Sequence, residues 1–151
     1  MTVTRWVLIA LHTVLGVAAV GAGQAFVRVP SGAPLGMTTE WLEGSPFPDF
    51  RFPGLFLAIV IGGANSLTAV LLWRRHPGSP FASLGTGLLL VIWVAIQTAI
   101  IGFRHWSQGI WWVTFVLVAV LAARLVGPRA RWKTPARHID VIEPPGTKNY
   151  P

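Results

Sequence analysis

Four long apolar stretches, each bounded by basic residues, constrain the fold of this chain more than any other feature. They lie at about residues 6–27, 53–73, 81–103 and 109–126. A helix of about 20 apolar residues crosses the roughly 30 Å hydrocarbon core of a bilayer, where backbone groups find partners only within the helix. Because two of the links are short, the sequence predicts an all-α membrane protein folded as a four-helix antiparallel transmembrane bundle.

The composition also favours lipid surroundings. Hydrophobic residues make up 53% of the chain and charged residues 11%, against about 25% charged residues in soluble domains. The net charge of +7 would suggest nucleic acid as a partner for a soluble protein. Here the basic residues mostly flank the apolar stretches, so we expect membrane lipid and no nucleic acid. Since the chain has no cysteine, disulfides and thiolate sites are excluded.

The histidines do not form a pattern that holds a cofactor. They are His12, His76, His105 and His138, and only His12 lies within an apolar stretch. A heme held by two histidines needs a pair at matched depth on facing helices, and zinc needs clustered ligands. We therefore expect no metal and no cofactor.

The first stretch could also be a secretory signal peptide. Its apolar run, 6–27, is longer than the roughly 7–15 residues of a signal-peptide core, and Gly23-Gln24-Ala25 near its end forms only a weak cleavage site. We expect this stretch to be retained as the first transmembrane helix.

The distribution of Lys and Arg predicts the orientation, because cytoplasmic loops of membrane proteins are enriched in both. One side would carry Arg28, Arg51 and Arg104. The other would carry Arg5, Arg74, Arg75, Arg124, Arg129, Arg131, Lys133, Arg137 and Lys148. This bias predicts a multi-pass membrane protein with both termini cytoplasmic. The segment 28–52 is then an outer loop, and 128–151 is a basic, proline-containing cytoplasmic tail.

Neutral polar residues within the stretches form a predicted buried polar layer of His12, Asn65 and Ser66. At 100° per residue, His12 shares a face of the first helix with Gly16, Ala19 and Gly23. A second small-residue face consists of Ala58, Gly62, Ser66 and Ala69. Small residues at this spacing let helices approach closely. The favoured interpretation is hydrogen bonding between helices that fixes their register; the alternative is a site for a ligand or ion.

The loop 28–52 is long and contains more apolar residues than a freely solvated loop would. We expect its aromatic residues to fold onto the mouth of the bundle. Its three acids match the three outer arginines in number, which favours a structural cap held by ion pairs. The alternative is an outward-facing ligand site formed by Glu43, Asp49, Gln97, Arg104 and His105.

Three short motifs also point to a family of bacterial proteins. They are "SPFPDF…PGL" at the entry to the second stretch, "GGAN" within that stretch and "IGFRHW" after the third. Over about residues 5–127 the chain resembles small four-span membrane proteins that are common in bacteria, especially actinobacteria. The resemblance implies the same membrane architecture and a location in the bacterial cytoplasmic (inner) membrane, and it brings no assigned activity.

The sequence thus favours a non-enzymatic structural or accessory subunit that associates with itself or with other membrane subunits. The main alternative is a binding or transport protein for a lipid or small neutral solute that enters from the outer face. An outward-facing enzyme that uses Glu43, Asp49 or His105 is a third hypothesis.

Overall fold

The computed structural model describes residues 2–104 and 106–127, and over these residues it contains helices and turns but no strand. The long helices are α1 (Val3–Arg28), α2 (Arg51–Trp73), α3 (Ser79–Ile101) and α4 (Ser107–Val126). Each is long and apolar enough to cross a membrane, which confirms the four predicted apolar helices and is compatible with a multi-pass membrane protein. The predicted tail, 128–151, lies outside the described residues.

Small residues bring α1 and α2 into close backbone contact. A Cβ atom added at Gly23 would lie 2.5 Å from the carbonyl oxygen of Gly54, and one added at Gly16 would lie 3.4 Å from the carbonyl oxygen of Gly62. The later glycine of α1, Gly23, therefore contacts the earlier glycine of α2, Gly54, and the earlier one, Gly16, contacts the later one, Gly62. This contact confirms the small-residue faces predicted for the first two helices.

A second close contact joins α3 and α4. A Cβ atom at Gly87 would lie 2.9 Å from the Cα atom of Ala119. Gln108 fixes the turn between these helices, since its Oε1 atom accepts a hydrogen bond from the backbone N–H of Arg104 (2.7 Å) and its Nε2 atom donates to the carbonyl of Gly102 (2.9 Å). The bundle thus consists of two helical hairpins, α1–α2 and α3–α4.

The two hairpins are joined by polar contacts at the N-terminal end of the bundle, which we define as the end where α1 begins. Arg5 Nη2 donates to Ser79 Oγ at 3.3 Å, and Arg5 Nη1 donates to the carbonyl of Leu72 at 3.4 Å. Leu8 and Leu72 are fully buried beside these contacts. This end of the bundle is therefore well packed.

The opposite end, which we call the loop end, carries residues 29–50. Short 3₁₀ turns at Ala33–Leu35 and Thr39–Leu42 give this segment structure of its own. The ring of Phe50 stacks on that of Phe26 of α1, with centroids 5.0 Å apart, and Phe50 is almost completely buried. The segment therefore folds against the bundle, as its apolar residues predict.

The middle of α2 is wound more widely than an α-helix. Residues Leu57–Gly62 form a π-helical segment, a feature that is frequent at functional sites. Its backbone is supported by Asn65, whose Nδ2 atom donates to the carbonyl of Ile61 at 2.9 Å. The residues at the start of this segment face the candidate site described next.

Candidate functional site

A cavity of about 470 Å³ lies inside the loop end of the bundle. All four helices and the loop contribute to its wall. The lining residues are Leu15, Ala18, Ala19, Ala22, Phe26, Leu35, Met37, Leu42, Phe47, Phe50, Phe52, Pro53, Phe56, Leu57, Leu90, Trp93, Ile96, Gln97, Ile100, Ile101, Trp111 and Phe115. The volume lies within the roughly 300–1,000 Å³ typical of small-molecule sites.

Aromatic rings form much of the cavity wall, and several support one another. Phe56 stacks on Trp93 with ring centroids 5.0 Å apart, which links the π-helical segment of α2 to α3. Trp111 and Phe115 pack together on α4 at 5.8 Å. Aromatic side chains have few rotatable bonds and large contact areas, so such walls are stiff and hold their shape.

The cavity spans about half the thickness of a bilayer. Leu90, which lines its deep end, is the middle residue of the 23-residue helix α3. At 1.5 Å per residue, Leu90 lies about 16 Å from the end of that helix at Ile101. A hydrocarbon core is roughly 30 Å thick. The cavity therefore has the depth of one leaflet.

The cavity is not sealed from its surroundings. Phe52 and Ile96 belong to its wall and are still 61% and 50% exposed. Both residues lie on helices that are apolar enough to sit in lipid. The cavity is therefore open towards the surrounding lipid where Phe52 of α2 and Ile96 of α3 form its wall.

Gln97 is the one amide among the described lining residues, and no charged side chain accompanies it. It is half-buried and lies one turn from the end of α3. Among the described residues it makes no hydrogen bond, so its donor and acceptor atoms are available to a bound molecule.

A buried polar cluster of His12, Asn65 and Ser83 lies one turn of α1 below Leu15 at the cavity floor. His12 Nδ1 is 2.8 Å from Asn65 Oδ1, and His12 Nε2 is 2.9 Å from Ser83 Oγ. All three residues are fully buried. Since the Asn65 amide nitrogen donates to Ile61, its oxygen faces His12, and Nδ1 is the donor. In the neutral ring Nε2 then accepts the Ser83 hydroxyl proton.

Of the residues of the predicted polar layer, His12 and Asn65 are buried, whereas Ser66 is exposed. Neighbouring residues on a helix point about 100° apart, so Asn65 and Ser66 cannot both face the centre. A second buried contact lies instead between Thr68 and Thr86, whose hydroxyl oxygens are 2.8 Å apart. The pairs His12–Ser83 and Thr68–Thr86 therefore join one hairpin to the other, while His12–Asn65 lies within the first hairpin.

The structure does not bring the predicted outer ligand residues together. Glu43 and Arg104 are exposed, and neither they nor Asp49 line the cavity. Asp49 Oδ1 accepts the backbone N–H of Arg51 at 2.8 Å and so caps the start of α2, while Arg104 Nε donates to the carbonyl of Ile101 at 3.0 Å. His105 lies outside the described residues.

The predicted ion pairs of the cap are also missing. Within residues 2–104 and 106–127, no ion pair joins an acid of the loop to Arg28, Arg51 or Arg104. Apolar packing of the loop on α1 takes their place, as in the stacked rings of Phe26 and Phe50.

No family model, curated protein or solved structure matches this chain.

The sequence interpretation missed the aromatic wall within the helices, notably Phe56, Trp93, Trp111 and Phe115. A signal was present, because lipid-facing positions do not require so many large rings at the level of one leaflet. That signal could not be separated from the ordinary enrichment of aromatic residues near membrane interfaces.

Proposed function

We propose that this chain is a non-enzymatic integral membrane protein that binds an apolar molecule, drawn from the surrounding lipid, in the cavity at its loop end. The observation that carries the proposal is a cavity of about 470 Å³ lined almost entirely by apolar side chains. Cavities with such walls stay dry and take up apolar molecules; one of about 150 Å³ holds benzene. By that comparison, this cavity suits roughly 15–20 non-hydrogen atoms.

The shape of the cavity favours a single hydrocarbon chain or small ring system. A volume of about 470 Å³ over a depth of about 16 Å gives a mean cross-section of roughly 30 Å². This width suits one chain and is too narrow for a whole two-chain lipid. The half-exposed wall residues Phe52 and Ile96 lie at the opening through which such a molecule would enter from the bilayer.

The orientation that accompanies this function is an antiparallel bundle with its loop on the outer face of a bacterial inner membrane. Arg5, Arg74 and Arg124 lie at or near helix ends on the side opposite the loop, which the positive-inside rule assigns to the cytoplasm. The cavity would then take its ligand from the outer leaflet. The bacterial location rests on the sequence resemblance alone.

Binding is better supported than passage across the membrane. The cavity reaches Gln97, but its lining does not include Asn65. Below it, fully buried Leu8, His12 and Leu72 fill the centre of the bundle towards the N-terminal end. A transport cycle would have to open these contacts, whereas binding from the outer leaflet leaves them in place.

The accessory-subunit interpretation stays a prediction. Exposed apolar residues such as Val14, Val17 and Val113 would suit a protein partner, but bilayer lipid covers such residues equally well. The enzyme hypothesis also stays a prediction. The cavity does not support it, because neither Glu43 nor Asp49 belongs to the cavity lining.

Filling the cavity tests the proposed function. We expect Ala22→Phe to lower binding at least about 10-fold, because Ala22 lines the cavity and the new ring would occupy the space of the ligand. The measurement is native mass spectrometry of the purified protein in mild detergent, for co-purifying apolar molecules and for added tetradecane. With 14 carbon atoms, this probe lies just below the roughly 15–20 non-hydrogen atoms that the cavity volume suits.

Ala99→Phe is the matched control, since Ala99 is exposed on α3 and lies outside the lining. It should bind tetradecane like the wild type. Equal occupancy of wild type and Ala22→Phe, or no binding by the wild type, would refute the proposed function.

A further inference from the structure

We infer that the ligand of this cavity is an uncharged, single-chain lipid whose hydroxyl or carbonyl group is held by the side-chain amide of Gln97. This inference rests on the proposed function and specifies the chemical class of the molecule bound. It is carried by the position of one polar side chain in an otherwise apolar wall.

Gln97 differs from the two threonines near it at the loop end of α3 and α4, because both are already paired within the protein. Thr98 donates to the carbonyl of Val94 at 2.7 Å and accepts from Trp112 at 3.1 Å, and Thr114 donates to the carbonyl of Ile110 at 2.8 Å. Gln97 has no such bond among the described residues, although it lines the cavity. An amide in apolar surroundings gains from a hydrogen-bonding partner, which a bound molecule can supply.

The amide selects for the chemistry of the head group. It offers two N–H donors and one carbonyl acceptor, so it can pair with a hydroxyl in either direction or donate to a carbonyl. No Lys, Arg, Asp or Glu is present in the described lining. A charged head group would enter this apolar space without a counter-ion, which is costly, so a neutral head is favoured.

The position of Gln97 also sets the direction of the chain. It lies four residues before Ile101, about 6 Å from the loop end of α3. Leu90, at the deep end of the cavity, lies seven residues before Gln97 on α3, about 10 Å away. The head group would therefore sit near the outer surface and the chain would extend towards Leu15 and Leu90, as it does for lipids in the outer leaflet.

Three probes with the same chain and different heads test the inference: tetradecanol, tetradecane and ionised tetradecanoate. We expect the wild type to bind tetradecanol about 10-fold more tightly than tetradecane, the ratio expected from one neutral hydrogen bond, and to bind tetradecanoate more weakly than tetradecanol. In Gln97→Met, which keeps the side-chain volume, affinity for tetradecanol should fall to that for tetradecane. Affinity for tetradecane should not fall.

Gln24→Met is the matched control, because Gln24 is an exposed glutamine near the loop end of α1 and is not part of the lining. It should bind all three probes as the wild type does. The comparison of the three probes on the wild type tests the inference even if Gln97→Met folds poorly.

The outcomes separate the inference from the function on which it rests. If tetradecane binds but tetradecanol has no advantage, or if tetradecanoate binds most tightly, the inference is wrong and the proposed function stands. If none of the three probes binds the wild type, the proposed function itself is wrong.

Discussion

Gly23→Ala should lower the free energy of unfolding by about 3 kcal/mol, the upper part of the range for overpacked sites. The added methyl group would lie 2.5 Å from the carbonyl oxygen of Gly54 and 2.6 Å from the Cβ atom of Ala58. Two of its near neighbours are backbone atoms of α2, so relief requires the two helices to move apart. The measurement is reversible unfolding in mild detergent by titration with a denaturing detergent.

Gly21→Ala is the matched control, two residues away on the same helix. A Cβ atom at Gly21 meets nothing within 4 Å, and this glycine is exposed. Because alanine is the better helix former, stability should stay the same or rise by up to about 1 kcal/mol. Similar losses at the two positions would show that the close contact between α1 and α2 is not what stabilises this hairpin.

The contrast between these glycines shows what periodicity predicts well. The 100° rotation per residue places Gly16 and Gly23 on one face of α1, and Ala58 and Gly62 on one face of α2, and the structure confirms that these faces meet. Helix extent was predictable for the same reason, since apolar length is set by membrane thickness.

The depth of the polar layer along the helices was predictable, but the face of the helix on which each polar residue lies was predictable only in part. His12 and Asn65 meet as predicted, because depth along an apolar helix can be counted from its ends. The third partner is Ser83 of α3, which depth alone did not single out from Ser66. The relative rotation of helices from different hairpins depends on packing of the whole bundle, and sequence periodicity does not contain it.

The cavity was not predictable, because it results from how two hairpins meet and not from a motif. Gln97, which was predicted to take part in a ligand site, lines it, while Glu43 and Asp49 do not. The carboxylate of Asp49 is used locally to cap α2. The charged residues near the membrane surface thus suggested a polar site. The cavity is lined instead mainly by apolar and aromatic residues of the loop and the helices.

Side-chain hydrogen bonds between the two hairpins lie at the end of the bundle away from the cavity. Arg5, His12 and Thr68 each reach from the first hairpin to a hydroxyl group on α3, and all three contacts lie towards the N-terminal end. Leaving aside residues 106–108, no comparable side-chain bond between described residues crosses between the hairpins at the loop end. These three contacts therefore join the hairpins on the side of the cavity towards the N-terminal end.

His12→Leu should lower the free energy of unfolding by about 2 kcal/mol. The substitution leaves Asn65 Oδ1 and Ser83 Oγ without their partner in a buried site, and each such group costs about 1–3 kcal/mol. Hydrogen bonds between membrane helices are worth about 0.6 kcal/mol on average, which keeps the expected loss near the lower end of the sum. The same detergent titration measures this loss of stability.

Thr13→Val is the matched control. Thr13 is the next residue along α1, is exposed, and donates a hydrogen bond only to the carbonyl of Ile9, so its replacement should change stability little.

Replacing all three residues of the polar cluster distinguishes two effects on stability: the loss of a hydrogen bond, and the burial of a polar group that has no partner. In the triple variant His12→Leu, Asn65→Leu, Ser83→Ala, no member of the cluster remains to be left without a partner. Replacing all partners by apolar groups is close to neutral in many proteins, whereas removing one is not. We therefore expect the triple variant to be no less stable than His12→Leu alone, a strong departure from additivity between contacting residues. If the three substitutions instead add, or if His12→Leu is no worse than Thr13→Val, the cluster does not join the hairpins. The cavity would then have to be explained by packing of the apolar residues alone.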